Sequence, residues 1–427
     1  MCSQIDLGGT VYGITSNRVV FLVFAIVLGF VKNINVGIVS MGLALVLGLI
    51  GGVDTNTILS GFPGKLFVTL LGTMFFFCLL QENKTLELMS KKMVSAVGKC
   101  TFLVPVIIYL VSYILSAAGP GAISVQSVMI IFAVSLASQM DASPILMGGM
   151  AVLGAVGGTA SPIALSGIIV TELTEEMGYS GMAMPVFIGV TVTNVICAVL
   201  LYFFFKGYRL KPAEKTEKLE AFNRDQKICM LALLVLVIAV VGFQYDVGLV
   251  AFTLSVLLLL VGVVNEKEAL KLVPWSVLLL ICGVSILMGV TKIMGGIDLL
   301  SEFLSKLMNR ITAVPVISLT AGLMSWFSSA NGVVMPTLIP TTPGIVENLG
   351  NTVTVLEMIM GIVGGATVAG ISPLSTGGSL ILATYTQEMK ASEKEQKKIF
   401  LQLFATSFAA VLVVVVFGLL GGFKLFG

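Results

Sequence analysis

Two stretches of the chain read alike: MGGMAVLGAVGGTASPIALSG (Met147–Gly167) and MIMGIVGGATVAGISPLSTGG (Met358–Gly378). Each starts as apolar helix and then breaks into Gly, Ser, Thr and Pro. In hydrocarbon a freed amide or carbonyl finds no water, so such a break survives only where protein encloses it. Ser161-Pro162 and Ser372-Pro373 hold the same place in the two stretches, 211 residues apart. Matching breaks in two halves of a membrane chain are the best sequence pointer to a solute site between internal repeats.

Composition agrees with a membrane setting. The chain has 427 residues, 57% hydrophobic and 11% charged, with mean hydropathy +1.07. Soluble domains carry about 25% charged residues. Net charge is +2, which offers nothing to a nucleic acid. There is no histidine, and the six cysteines are scattered with no CxxC spacing. A disulfide framework, a zinc site and histidine-based catalysis are therefore not expected. Residues 1–18 lack a basic start before an apolar run, so a cleaved signal peptide is not expected.

Polar interruptions set the order of elements. Spans are expected at Val19–Val31, Ile34–Ile50 and Phe67–Leu80, then an amphipathic, lysine-bearing interfacial helix in Glu82–Cys100. Thr101–Gln139 is apolar but broken at Ala118–Ala122. It reads either as a re-entrant hairpin or as two full spans with a Gly-Pro turn. A broken span (Pro144–Thr171) and a span (Met184–Phe205) follow. Lys206–Lys227 is a charged seam. The plan then repeats. Asn35-Val36-Gly37 matches Asp246-Val247-Gly248. Pro63 matches Pro274, Gly72 matches Gly283, Glu87-Leu88 matches Asp298-Leu299 and Gly121 matches Gly332, each pair 211 apart. One offset shared by so many elements is a duplication. The second hairpin falls on Thr312–Leu349. Its returning arm carries Pro336, Pro340 and Pro343 and would make a poor lipid-facing span, which favours the re-entrant reading for both. The second broken span falls on Leu356–Thr384, a charged loop on Lys390–Lys398, and the last span on Phe400–Leu420. The expected fold is thus all-α and integral to the membrane. It has ten transmembrane helices plus two opposed re-entrant hairpins, in two inverted-topology repeats (19–206 and 228–420) joined by a cytoplasmic linker (207–227).

Five full spans per repeat is an odd number, so tandem copies lie upside down to one another. Placing the Lys206–Lys227 loop in the cytoplasm puts 18 of the 24 basic residues inside. This satisfies the positive-inside rule and leaves both termini outside.

Two breaks and two hairpin tips meeting near the midplane make a cavity of neutral dipoles. The candidate substrate-binding residues are Gly119, Pro120, Gly121, Thr159, Ser161, Pro162, Ser328, Ser329, Asn331, Gly332, Ser372, Pro373, Ser375 and Thr376. Half-helix N-termini suit an anion, and freed carbonyls suit a bare cation. No Asp, Glu, Lys or Arg falls in the middle of an expected span, which argues against a proton pump or Na⁺/H⁺ exchanger. A carboxylate held by hydroxyl and amide donors fits. The absence of a histidine or a buried carboxylate pair argues against an enzyme.

Three segments together, FPGKLFVTLLGTMFFFCLLQENKTLELM (Phe62–Met89), AAGPGAISVQS (Ala117–Ser127) and GGTASPIALSGIIV (Gly157–Val170), carry a resemblance. They resemble the malonate/dicarboxylate carrier (MatC-type) branch of the divalent anion:sodium symporter group, in the ion-transporter superfamily. The resemblance covers nearly the whole chain. It implies a homodimer whose protomers each have a scaffold and a moving transport unit working as an elevator. It also implies Ser-Asn-Thr motifs at the hairpin tips and Na⁺ bound at turns in the broken helices. Carried over, those cation-binding turns fall on Ala160-Ser161-Pro162 and Ile371-Ser372-Pro373, with Asn331 at the outer tip. The inner tip, Ala118-Gly119-Pro120-Gly121, lacks the motif. The implied activity is import of a small dicarboxylate, malonate or a C4 acid, coupled to Na⁺ or H⁺ and without a cofactor. The setting is a bacterial inner membrane. The rival reading is a cation/proton or inorganic-anion antiporter of the same superfamily.

Overall fold

The computed structural model describes residues 21, 24–29, 31–32, 34–95, 101–119, 121–140, 142–210, 221–243 and 245–426. All regular structure among them is helical. Pro120, part of the Val19–Val31 segment (19, 20, 22, 23 and 30) and part of the Lys206–Lys227 segment (211–220) lie outside the described residues.

The first half contributes α1 (Val36–Gly51), α2 (Thr55–Ser60), α3 (Gly64–Glu82), α4 (Thr85–Ser95), α5 (Val104–Ala117) and α6 (Gly121–Gln139). It continues with α7 (Pro144–Gly158), α8 (Leu165–Glu176) and α9 (Ala183–Phe204). After α10 (Arg224–Val237) the second half gives α11 (Val247–Val261), α12 (Glu266–Leu272), α13 (Trp275–Ile293) and α14 (Gly296–Lys306). Then come α15 (Ala313–Phe327), α16 (Met335–Leu338), α17 (Thr342–Asn348), α18 (Val355–Val368), α19 (Thr376–Met389) and α20 (Glu393–Leu419). The starts of α1, α3, α4, α7 and α8 recur 211 residues later as those of α11, α13, α14, α18 and α19.

Local chemistry sets the ends. Asn35 and Asp246, a matched pair, cap α1 and α11 with side-chain oxygens that accept from Gly37 N and Leu249 N. Helix α4 starts after a reversal at Lys84, whose φ is 61°. The outer hairpin's returning arm is not one helix. It runs as a π-turn (Ala330–Val334), α16, a 3₁₀ turn (Ile339–Thr341) and α17. Pro336, Pro340 and Pro343 each withhold an amide, so no long run of i to i−4 bonds forms. The inner arm α6 has no such prolines and continues for 19 residues. One boundary differs from expectation. Most of the Lys390–Lys398 segment is helix, because Ser392 and Glu395 form a capping box that starts α20 at Glu393.

Six helical runs among the described residues are long and apolar enough to cross a bilayer: Thr55–Glu82, Gly121–Ser138, Ala183–Phe204, Trp275–Ile293, Val355–Met389 and Glu393–Leu419. Shorter apolar helices lie between them, and large apolar side chains such as Phe204, Leu260 and Leu420 face outward. The chain is a multi-pass membrane protein.

The two halves interlock. Helix α1 packs on α13, and α11 packs on α3. Because α13 repeats α3 and α11 repeats α1, this is the reciprocal exchange that a pseudo-twofold axis produces. Backbones touch at both crossings. A Cβ on Gly37 would lie 2.2 Å from the Leu279 carbonyl oxygen, and one on Gly283 2.0 Å from that of Gly37. At the partner crossing, a Cβ on Gly72 would lie 2.4 Å from the Gly248 carbonyl oxygen. The caps join the same pairs: Asn35 Nδ2 donates to Ser276 O at 2.8 Å, and Thr69 Oγ1 donates to Asp246 at 3.4 Å.

Overpacking of a tight contact costs about 1–3 kcal/mol or more. Gly37→Val is therefore expected to lower the melting temperature of detergent-purified protein or abolish its folding. Gly42→Ala, where a Cβ meets nothing within 4 Å, is expected to match the wild type. Thermal unfolding of both variants checks this.

Candidate functional site

Both expected breaks are present and similarly built. Helix α7 stops at Gly158 after 15 residues, about 22 Å of rise, and α8 resumes at Leu165. Helix α18 stops at Val368, a 3₁₀ turn covers Ala369–Ile371, and α19 resumes at Thr376. Glycine lets each loop fold back over the helix it precedes. A Cβ on Gly167 would stand 1.9 Å from the Ser161 carbonyl oxygen, and one on Gly378 2.2 Å from those of Ile371 and Ser372. These two glycines are themselves 211 apart.

The four discontinuities meet. The inner tip abuts the first break: a Cβ on Gly119 would lie 3.5 Å from the Ile163 carbonyl oxygen, and one on Gly121 3.4 Å from Leu165 Cβ and 3.9 Å from Thr159 Oγ1. The outer tip reaches the first broken helix through a hydrogen bond, Ser166 Oγ donating to Asn331 Oδ1 at 2.7 Å. The π-turn at that tip also packs on α13 and α18. The second break faces the end of α7, with Gly370 within 3.4 Å of Val156 when given a Cβ. Helix α19 packs along α6. No charged side chain belongs to any of these loops or tips.

The candidate residues fall into three groups. Some are committed to holding the loops. Ser328 Oγ donates to Met324 O, Ser329 Oγ accepts from Gly332 N, and Ser375 Oγ donates to Gly370 O and Ser372 O. Others are buried but keep bonding capacity. Thr159 Oγ1 has no partner among the described residues, which leaves about 1–3 kcal/mol of unmet polarity. The carbonyl of Ala160 accepts no backbone hydrogen bond among the described residues. Ser161, Pro373 and Ser372 are buried, and Ser372 Oγ accepts from Leu374 N at 3.3 Å. Pro162 and Asn331 are half-buried and Thr376 is exposed.

Each half-helix N-terminus lies against the loop that leads into it. At the first, the Thr159 carbonyl accepts from the amides of both Ser166 and Gly167, at 3.0 and 3.2 Å. Those donors are not free, contrary to the expectation that both N-termini would offer them. At the second the loop folds back in the same way: Cβ atoms on Gly377 and Gly378 would lie 2.6 Å from the Gly370 carbonyl oxygen and 2.2 Å from that of Ile371.

Sequence reasoning placed Ser166 in the first broken span as an available donor but outside the candidate set. It passed over Thr337 Oγ1, on α16, and Asn194 Oδ1, on α9, both buried without a partner among the described residues. Asn194 lies against Gly157, one residue from the end of α7. A polar amide in mid-span was the signal available for it.

Relatives agree with this geometry. The crystal structure of the Alcanivorax borkumensis YdaH transporter, described as having an unusual topology, is similar with TM-score 0.60 and 14% identity. The alignment covers 95% of this chain and 97% of that one. At that identity the likeness speaks to the fold. No curated protein sequence matches. The sequence profile described as citrate transporter matches residues 19–360, which take in the first break and both hairpin tips and end before the second break. A match over that share of the chain settles its kinship: the protein belongs to the citrate transporter family.

Proposed function

We propose that this transporter carries a small dicarboxylate, malonate or a C4 acid, with Na⁺ or H⁺, and that the unit containing the broken helices moves against the α1–α3 and α11–α13 scaffold. The observation that carries the reading is the uncharged meeting point of two breaks and two tips. Asn331 and the unpartnered Thr159 hydroxyl supply donors for carboxylate oxygens, beside the positive dipole end of α19 and without a buried protein charge. The open Ala160 carbonyl supplies a hard oxygen ligand for Na⁺. The homodimer and the cytoplasmic placement of the lysine-rich loops belong to the same proposal. The family description favours a second substrate, citrate, whose third carboxylate would need further donors.

The test is uptake of labelled malonate, succinate and citrate into proteoliposomes, with and without inward Na⁺ and proton gradients. Gradient-driven accumulation of a dicarboxylate is expected. Accumulation of citrate alone would reassign the substrate, and the absence of gradient-driven uptake of any carboxylate would overturn the proposal.

Asn331→Ala and Ser372→Ala are each expected to raise the apparent KM about tenfold, the loss of one hydrogen bond to a charged group. Protein yield and monodispersity should be unchanged. Unaltered transport in both variants would move the site elsewhere.

A separate contact bears on the movement. Lys65 at the start of α3 pairs with Glu172 at 2.9 Å and Glu175 at 3.3 Å, both on α8. This clasp joins scaffold to moving unit. An exposed pair contributes about 0–1 kcal/mol. Lys65→Gln is therefore expected to raise turnover by up to about fivefold with KM unchanged. A KM shift with constant turnover would instead place Lys65 in substrate binding.

A further inference from the structure

A second polar cavity lies far from the breaks, at the end of the molecule that carries the Lys206–Lys227 and Lys390–Lys398 segments. Its volume is about 320 Å³, and Ser143, Phe205, Tyr385, Lys398, Ile399 and Gln402 are among its walls. Four helices from both halves converge there: the start of α7, the end of α9, the later part of α19 and the first turns of α20.

Its side-chain donors are those of an anion site. Lys398 forms no ion pair among the described residues. The Tyr385 hydroxyl and the Gln402 amide likewise make no side-chain hydrogen bond among them. Three donors of different length therefore face one space. Glu395 also borders the cavity; its carboxylate accepts from Ser392 N and Oγ at 2.8 and 2.7 Å and lies near enough to Lys398 to interact with it electrostatically. Phe205 and Ile399 form apolar walls, and Phe204 and Leu401, close to them in the chain, are 78% and 57% exposed. Phosphate-binding donors next to outward-facing apolar side chains suit an amphiphile rather than a free ion. Basic pockets between transmembrane helices take anionic headgroups in this way.

We infer that this cavity binds the phosphate headgroup of an anionic phospholipid, with Lys398 pairing the phosphate, Tyr385 and Gln402 donating to its oxygens, and the acyl chains lying over Phe204 and Leu401. The inference is independent of the carried substrate. It makes the packing of α7 and α9 against α19 and α20 responsive to the surrounding lipid.

The test is native mass spectrometry and thermal unfolding of the full chain in detergent, titrated with phosphatidylglycerol, phosphatidylethanolamine or inorganic phosphate. Phosphatidylglycerol is expected to give retained adducts and raise the melting temperature by several degrees, with phosphatidylethanolamine at least fivefold weaker. Lys398→Gln is expected to lose that preference, and Tyr385→Phe, which keeps the ring, to weaken it by about threefold. Lys394→Gln on the same helix, away from the cavity walls, should behave as wild type. An equal shift from inorganic phosphate would overturn the lipid assignment in favour of a soluble anion. Undiminished phosphatidylglycerol preference in Lys398→Gln, or equal loss in Lys394→Gln, would overturn the site.

Discussion

Every feature of this molecule answers to the cost of an unpaired backbone group in hydrocarbon. The chain breaks its helices twice in mid-span, and each break is affordable only because something else closes over it. At the first break the closing groups are the Thr159 carbonyl and the inner tip at Gly119–Gly121. At the second they are the Ser375 hydroxyl, bound to Gly370 and Ser372 carbonyls, and the end of α7. Gly167 and Gly378 let the loops approach closely enough for this to work. The site is therefore a by-product of satisfying backbone: what remains unbonded after closure is what a solute can use.

The scaffold follows the opposite rule. At the α1–α13 and α3–α11 crossings, carbonyl oxygens sit against glycine Cα atoms with no side chain between. Such contacts leave no room for sliding, since interiors packed this tightly are bistable rather than continuously deformable. The boundary between α3 and α8 is different in kind. It is bridged by long, partly exposed Lys65 and Glu175 side chains that can separate at little cost.

Much of this was legible in the sequence because a duplication writes everything twice. The 211-residue offset located both breaks and paired Asn35 with Asp246 without any coordinates. The proline-rich outer arm announced its own irregularity. What lay hidden depended on contacts between distant segments. Ser166 and Asn331 are 165 residues apart, and no local pattern joins them. The closure of Thr159 over Ser166 and Gly167 depends on the path of a six-residue loop, and propensity does not fix that path. The start of α20 was readable as Ser392-x-x-Glu395, but the surrounding lysines made the segment look like a loop.

The closed start of α8 has a further consequence. With the amides of Ser166 and Gly167 both bound to the Thr159 carbonyl, that end of the break has only side chains and other loop groups to offer a solute. Side chains can be exchanged one at a time without reopening the backbone, so selectivity there can drift while the fold stays as it is.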